Sequence, residues 1–127
     1  MKKLKDIKVL IVDDDEMMRE VLASLLADEG ALTLEAENGT RAFKIVQESK
    51  FDIVLSDVRM PGGDGITLAK NISRMKENRP LVFICSGFND LSKETIQLYG
   101  IVKVFEKPFD HQSLINEIQI NFLGIKL

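Results

Sequence analysis

The stretch that decides the fold is FDIVLSDVRMPGGDG, residues 51–65. It begins as an apolar run typical of a buried strand, and it breaks at Asp57, which is followed by a proline and three glycines. A carboxylate at the end of a buried strand costs free energy unless a partner compensates its charge. Asp57 therefore needs a partner, and the rest of the sequence indicates where one comes from.

Composition describes one globular domain over residues 1–127, with 45% hydrophobic and 29% charged residues. No apolar stretch approaches the roughly 20 residues of a membrane span, and the start MKKLKD lacks the apolar region of a signal peptide. We therefore expect a soluble, cytoplasmic protein without a membrane partner. A net charge of −3 without a basic stripe argues against direct binding of nucleic acid. Cys85, the single cysteine, lies in the apolar run LVFIC and is predicted to be a core thiol.

Short apolar runs alternate with stretches of helical periodicity along the whole chain. The predicted strands are residues 8–12, 32–36, 52–56, 81–85 and 102–105, and the predicted helices are residues 16–28, 39–49, 65–77, 91–98 and 110–122. The first, third and fourth strands are almost continuously apolar, which places them in the centre of a parallel sheet. This alternation predicts an α/β fold, a doubly wound (βα)5 domain with helices on both faces of a five-stranded parallel sheet.

The first helix carries the best-defined apolar pattern. We expect its core-facing side chains to be Met17, Val21, Leu22, Leu25 and Leu26. These residues are interpreted as packing residues, without a cofactor.

Polar side chains follow four of the predicted strands. They are Asp13 to Glu16 after the first strand, Asp57 after the third, Ser86 after the fourth, and Glu106 and Lys107 after the fifth. In an open parallel sheet, chemistry collects where the loops leave the carboxyl ends of the strands. These loops therefore offer carboxylates, a hydroxyl and an amine at one edge.

The four acids from Asp13 to Glu16 have two readings. One or two acids at a helix start cap the helix and complement its dipole. Four acids beside Asp57 repel one another unless a cation screens them, and an all-oxygen, water-accessible set suits Mg²⁺. A metal, a lysine and a hydroxyl around a carboxylate nucleophile would in turn suit phosphoryl transfer. Taken singly, Ser86 would only mark a turn and Lys107 would be a surface lysine.

Four motifs, VLIVDDDEMMR, DIVLSDVRMPGGDG, FICSG and VFEKPF, occur in this order and together cover most of the chain. In sequence and spacing they resemble the receiver domain of two-component response regulators. The resemblance implies the flavodoxin-like strand order 2-1-3-4-5. It also implies a protein that catalyses only its own phosphorylation and dephosphorylation.

The resemblance assigns a role to each motif residue. Asp57 would accept a phosphoryl group from a sensor histidine kinase or a phosphotransfer protein. Asp14 and Asp57 would bind Mg²⁺ directly, Asp13 would bind it through water, and the backbone carbonyl of Arg59 would add a further ligand. Ser86 would be the switch hydroxyl, and Lys107 would pair with the phosphoryl group and precede a cis peptide bond to Pro108. Helix 4, strand 5 and helix 5 would form the surface for a downstream effector or a second receiver.

Two positions depart from the family pattern, and two others have a predicted effect on dephosphorylation. Val104 stands where a switching aromatic is usual, with Phe105 after it, and Gly63 stands where a larger residue is common. Arg59 and Phe88 would flank the approach of water to the phosphoryl group, which predicts slow dephosphorylation. His111, early in the last helix, is interpreted as a surface residue.

Two other functions fit parts of the sequence. A phosphohydrolase of the haloacid dehalogenase type would use the D-x-D spacing of Asp13 to Asp15, but Met17 stands where that pattern has threonine or valine. A scaffold domain without chemistry would leave the polar strand ends unexplained. We expect either a stand-alone receiver or one module of a longer protein.

Overall fold

A computed structural model describes residues 2–87 and 91–124 and contains the predicted alternation of strands and helices. The strands are β1 (Lys8–Val12), β2 (Leu32–Ala36), β3 (Ile53–Asp57), β4 (Leu81–Ser86) and β5 (Ile101–Glu106). The helices are α1 (Glu16–Asp28), α2 (Gly39–Glu48), α3 (Gly65–Ser73), α4 (Lys93–Leu98) and α5 (His111–Ile118), and a π-helical turn (Gln119–Leu123) continues α5.

The five strands form one parallel sheet in the order β2-β1-β3-β4-β5. This order confirms the doubly wound fold and the central position of β1, β3 and β4. Successive residues of each strand face opposite sides, so β1 sends Val9 to the layer beneath α1 and α5 and Leu10 to the layer beneath α2 and α3. The two apolar layers hold the sheet rigid, and its carboxyl edge can therefore place side chains in fixed positions.

The predicted core face of α1 is wrong at two positions. Met17 is 75% exposed and Val21 is 48% exposed, whereas Leu22 and Leu26 are buried. The buried stripe runs one residue further along the helix than predicted, because Met18 and not Met17 packs against the layer that Leu22 and Leu26 enter.

The carboxyl ends of two helices differ from the predicted ranges by four residues, and the other helix ends differ by two residues at most. Helix α3 ends at Ser73 and not at residue 77, because the N–H groups of Arg74 and Met75 bond to carbonyls three residues back, which tightens the last turn, and side chains occupy two further carbonyls. Ser73 Oγ donates to the Lys70 carbonyl at 2.6 Å, and Arg79 Nη1 donates to the Ser73 carbonyl at 3.0 Å. The predicted last helix changes from α-helix to π-helix after Ile118.

Within the described part of the chain, no helix combines the length and the apolar character that crossing a bilayer requires.

Candidate functional site

The carboxylates of Asp13 and Asp57 are brought together by the pairing of β1 with β3. Asp57 is the last residue of β3, and Asp13 directly follows β1. Val12 is paired with Ser56 in the parallel register, so the next residue of each strand lies at the same edge of the sheet. The order of the sheet therefore makes neighbours of two acids that are 44 positions apart in the sequence.

Asp13, Asp14 and Asp57 form a three-carboxylate cluster. One oxygen of each side chain lies within 4.8 Å of the others. Asp13 is buried, Asp57 is half-buried and Asp14 is exposed, so the cluster opens to water on one side. Oxygen donors with access to water suit a hard divalent cation that keeps part of its hydration shell, as Mg²⁺ does. The residues present thus fit the metal that the sequence predicts.

Lys107 reaches this cluster from the loop after β5. Its Nζ lies 3.3 Å from Asp57 Oδ2 and 3.6 Å from Asp13 Oδ2. Burial alone would lower the pKa of the Lys107 ammonium, but the carboxylates of Asp57 and Asp13 outweigh that effect and raise the pKa. Lys107 therefore stays positively charged beside Asp57.

The environment of Asp13 favours the neutral form of its side chain, whereas the environment of Lys107 favours the charged form. Burial raises the pKa of its carboxyl group, and the neighbouring charges of Asp57 and Asp14 add to that rise. The backbone N–H of Asp15, which donates to Asp13 Oδ1 at 2.9 Å, and the charge of Lys107 compensate only in part. Without a further cation, ionised Asp13 is held at a cost in free energy.

The acidic run after β1 divides into the two roles that its sequence suggested. Asp15 caps α1 by accepting the backbone N–H groups of Met17 and Met18 at 3.0 and 3.3 Å. Asp13 and Asp14 belong to the carboxylate cluster. Capping and cation binding are thus properties of different residues in one run.

Ser86 and Lys107 are held together by the last pair of strands. Ser86 is buried and ends β4, opposite Glu106 in β5. The backbone N–H of Lys107 donates to the Ser86 carbonyl at 2.7 Å, and the Lys107–Pro108 peptide bond is cis. This bond joins the loop that carries the lysine to the end of β4, which carries the hydroxyl.

The loop after β3 carries Arg59, two residues beyond Asp57, and the Arg59 side chain is exposed. Gly65 closes this loop: its backbone N–H donates to the Val58 carbonyl at 2.8 Å, and a Cβ at this position would collide with the Asp57 carbonyl. Phe88, predicted to flank the path of water, lies outside the described residues.

Cys85 has the core role that its apolar neighbours predicted. It pairs with Asp57 across β3 and β4 and is buried. Burial raises the pKa of its thiol to about 12, so the thiol stays protonated at neutral pH. The cysteine is therefore a packing residue and not a nucleophile.

Sequence reasoning missed two groups that support this edge. Arg19 Nη1 donates to the Asp13 carbonyl at 2.7 Å, while its Nε lies 3.2 Å from Glu35. Thr40 Oγ1 donates to the Gly62 carbonyl at 2.6 Å, in the loop after β3. Arg19 has a weak sequence signal, its place in the first turns of the helix that follows the acids, whereas nothing in the local pattern marks Thr40.

A doubly wound sheet with three carboxylates and a lysine at its carboxyl edge defines a class of α/β proteins suited to metal-assisted chemistry. The comparisons with known proteins narrow this class. The family model described as response regulator receiver domain matches residues 9–119. The chain therefore belongs to the response regulator receiver domain family.

Relatives and solved structures agree with this assignment. The chain is 38% identical to sporulation initiation phosphotransferase F of Bacillus subtilis over 120 residues. The matched region covers 94% of this chain and 95% of that protein. It resembles the chemotaxis response regulator CheY4 of Vibrio cholerae, with a TM-score of 0.80 and 28% identity over 91% of this chain and 98% of that one. It also resembles the response regulator protein TrrA of Thermotoga maritima, solved in complex with Mg²⁺-BeF, with a TM-score of 0.79 and 26% identity over 89% and 96% of the two chains.

Family membership settles the general function. The protein is a phosphoacceptor domain of two-component signalling. This assignment sets aside the haloacid dehalogenase and scaffold alternatives.

Proposed function

We propose that Asp57 is the residue that accepts the phosphoryl group, and that Asp13, Asp14, Asp57 and the backbone carbonyl of Arg59 hold Mg²⁺. The observation that carries this proposal is the carboxylate cluster with Lys107 beside it. Three carboxylates lie within 4.8 Å of one another, and the Lys107 ammonium is 3.3 Å from Asp57. Asp57 is the member that contacts the lysine most closely and is also accessible to a phosphoryl donor.

In the proposed reaction, a carboxylate oxygen of Asp57 attacks the phosphorus of a phosphohistidine. The new O–P bond forms as the N–P bond breaks, and the histidine nitrogen leaves with the bond pair and takes up a proton. A bound Mg²⁺ supplies positive charge to the phosphoryl oxygens as their charge develops. Lys107 pairs with one of these oxygens, and the Ser86 hydroxyl donates to another.

The neighbours of Asp57 keep its carboxylate in place for this attack. The backbone N–H of Val58 donates to Asp57 Oδ1 at 2.8 Å, so one oxygen is fixed while Oδ2 faces Lys107. Ser56 Oγ donates to the Asp57 backbone carbonyl at 2.8 Å and fixes the end of the strand. These bonds orient the nucleophile before a donor arrives.

We further propose that residues 1–127 act as one receiver domain in the cytoplasm. Its phosphoryl donor is a sensor histidine kinase or a phosphotransfer protein, and its only reactions are its own phosphorylation and dephosphorylation. Helix α4, strand β5 and helix α5 form the surface that a downstream effector or a second receiver reads. The chain itself does not contact nucleic acid or a membrane.

The test is intact-mass measurement after incubation with acetyl phosphate and Mg²⁺, followed by peptide mapping. We expect one phosphoryl group on Asp57, none in the Asp57→Asn variant, and little dependence on Mg²⁺ in Asp14→Ala, which lacks a direct ligand. Asp15→Asn is the matched control, because asparagine caps a helix as well as aspartate does. It should be phosphorylated like the wild type.

Two results would contradict the assignment. Phosphorylation of Asp57→Asn at the wild-type rate and stoichiometry would show that another residue is the acceptor. Turnover of acetyl phosphate through Asp13, without a stable product on Asp57, would favour a hydrolase mechanism.

A further inference from the structure

The loop between β3 and α3 is interlocked with the start of α2. The backbone N–H of Gly39 donates to the Gly63 carbonyl at 2.8 Å, and Thr40 Oγ1 donates to the Gly62 carbonyl at 2.6 Å. Gly39 is buried, and a Cβ at this position would lie 2.8 Å from the Asp64 carbonyl. The two segments therefore touch through backbone atoms, with a side-chain hydrogen bond from Thr40 and the Asn38 side chain packed beside Gly62.

Gly63 is the residue of the loop that this contact most constrains. Its φ of 143° is one that L side chains rarely adopt, and a Cβ there would lie 2.7 Å from both the backbone nitrogen and Oγ1 of Thr40. A larger residue at position 63 would thus push the loop away from α2. The glycine that departs from the family pattern is explained by its contact with Thr40.

Core packing anchors the first part of the loop, because Val58 and Met60 are buried, and the two glycines that follow have no side chains to anchor them. Gly62 has a φ of 88°, and with Gly63 it gives two adjacent residues that sample a wide range of backbone conformations. The one turn bond within this segment, from the Gly63 N–H to the Met60 carbonyl, is long at 3.4 Å. The bonds from Gly39 and Thr40 therefore hold Gly62 and Gly63, the part of the loop that the core does not anchor.

We propose that Thr40 is a positioning residue for Mg²⁺ binding: its hydroxyl holds the loop after Asp57 in the conformation that presents the Arg59 carbonyl to the metal. This inference rests on the proposed function, in which Asp57 and Arg59 are ligands. Mg²⁺ requires near-octahedral geometry, so only loop conformations with the carbonyl in place can bind it. The apparent dissociation constant rises as the fraction of chains in that conformation falls.

The test is a calorimetric titration with Mg²⁺ of the wild type, Thr40→Val and Thr40→Ser. Valine keeps the branched shape but has no donor, and we expect it to weaken Mg²⁺ binding by about 2- to 10-fold, the effect of losing one hydrogen bond. Serine keeps the hydroxyl and should restore the wild-type constant. Amide chemical shifts at residues 57–63 in EDTA should change in Thr40→Val and not in Thr40→Ser.

Ser73→Ala separates positioning from general stability. Ser73 also donates a hydroxyl to a backbone carbonyl at 2.6 Å, but at the far end of α3. Removal of this hydroxyl should lower the free energy of unfolding in EDTA by about as much as Thr40→Val does. The dissociation constant for Mg²⁺ should stay at the wild-type value.

The outcomes distinguish this inference from the function on which it rests. If the wild type binds Mg²⁺ and Thr40→Val binds it equally tightly, Thr40 is only a structural residue and the inference is overturned, while the metal site stands. If the wild type does not bind Mg²⁺, the proposed metal site fails and the inference fails with it.

Discussion

Asp13 is a charged residue whose surroundings oppose its charge. It is 3% exposed and shares the cluster with Asp14 and Asp57. Its raised pKa means that folding favours the protonated form, so its contribution to stability is greatest below the unfolded value of 3.8 and is lost as the pH rises through the folded value. At neutral pH, without a metal, the ionisation of Asp13 therefore lowers the stability of the fold.

This argument predicts that Asp13→Asn stabilises the metal-free protein at pH 7 by about 1 kcal/mol, the scale of one partly screened pair of like charges. The measurement is urea unfolding in EDTA at several pH values. Because Asp13 is protonated in both states at low pH, the gain should shrink as the pH falls towards 3.8.

Glu20→Gln is the matched control for that experiment. It removes one negative charge from an exposed position of α1, outside the carboxylate cluster. We expect a change within about 0.5 kcal/mol. Equal or lower stability of Asp13→Asn relative to the wild type at pH 7 would show that Lys107 and the Asp15 N–H fully offset the repulsion.

The site residues differ in how far the sequence predicts them. Asp13, Asp57 and Lys107 lie within two residues of the ends of apolar runs, and the geometry of a parallel sheet brings such residues to one edge whatever their distance in sequence. Thr40 has no such signal. Its contact depends on how closely α2 approaches the loop after β3, and the packing of two glycines sets that distance.

At the scale of elements, strand β5 directs Val104 and Phe105 to opposite faces of the sheet. The sequence alone did not decide whether either residue acts as a switch. Phe105 is buried in the layer beneath α1 and α5, with ring centroids 6.1 Å from Phe83 and 5.7 Å from Phe109. Val104 faces the other layer, where it is half-buried. Phe105 is thus a core residue, and the position that faces α4 carries a short side chain with few rotamers.

This arrangement predicts a response to phosphorylation that moves loops more than side chains. Beryllofluoride with Mg²⁺, which mimics the phosphoryl group, should change amide chemical shifts mainly at residues 86–105. The physical reason is the bond from the Lys107 N–H to the Ser86 carbonyl, which connects the two residues proposed to contact the phosphoryl group. A displacement of either loop is passed to β4 and β5.

Ser86→Ala tests the origin of those shifts. It removes the hydroxyl and leaves the carboxylates and Lys107 in place, so shifts at residues 57–65 should persist while those at residues 86–105 shrink. Wild-type changes confined to residues 57–65 would contradict a movement of the loop after β4.

Element boundaries show where sequence reasoning is weakest. The bounds of β1, α1 and β2 are those predicted, because charged or glycine residues interrupt the apolar patterns on both sides. The end of α3 lies four residues before the predicted one, since local bonds of Ser73 and Arg79 replace the helical pattern there and the spacing of apolar residues does not reveal them. The exposure of Met17 was missed because neighbouring apolar residues leave the phase of a helix ambiguous.

At the scale of the whole molecule, the topology explains why repelling acids persist in a stable fold. The two apolar layers fix the strands, and the strands fix Asp13 and Asp57 side by side although neither carboxylate gains stability from the other. A preformed site of this kind binds a cation without reorganising the fold. The free energy of binding is then added to the stability of the native state.

The final prediction follows from that linkage: Mg²⁺ stabilises the wild-type protein against heat. At a hundredfold excess over the dissociation constant the gain is about 2.7 kcal/mol, a rise in Tm of roughly 10 °C for a domain of this size. The measurement is thermal unfolding with Mg²⁺ and with EDTA. The difference in Tm between Mg²⁺ and EDTA should grow as the pH rises above 3.8. The reason is that the raised pKa of Asp13 shifts formation of the metal-attracting carboxylate to higher pH. Asp14→Ala should lose most of the gain, and equal wild-type Tm values in Mg²⁺ and EDTA at pH 7 would show that the cluster does not bind the metal.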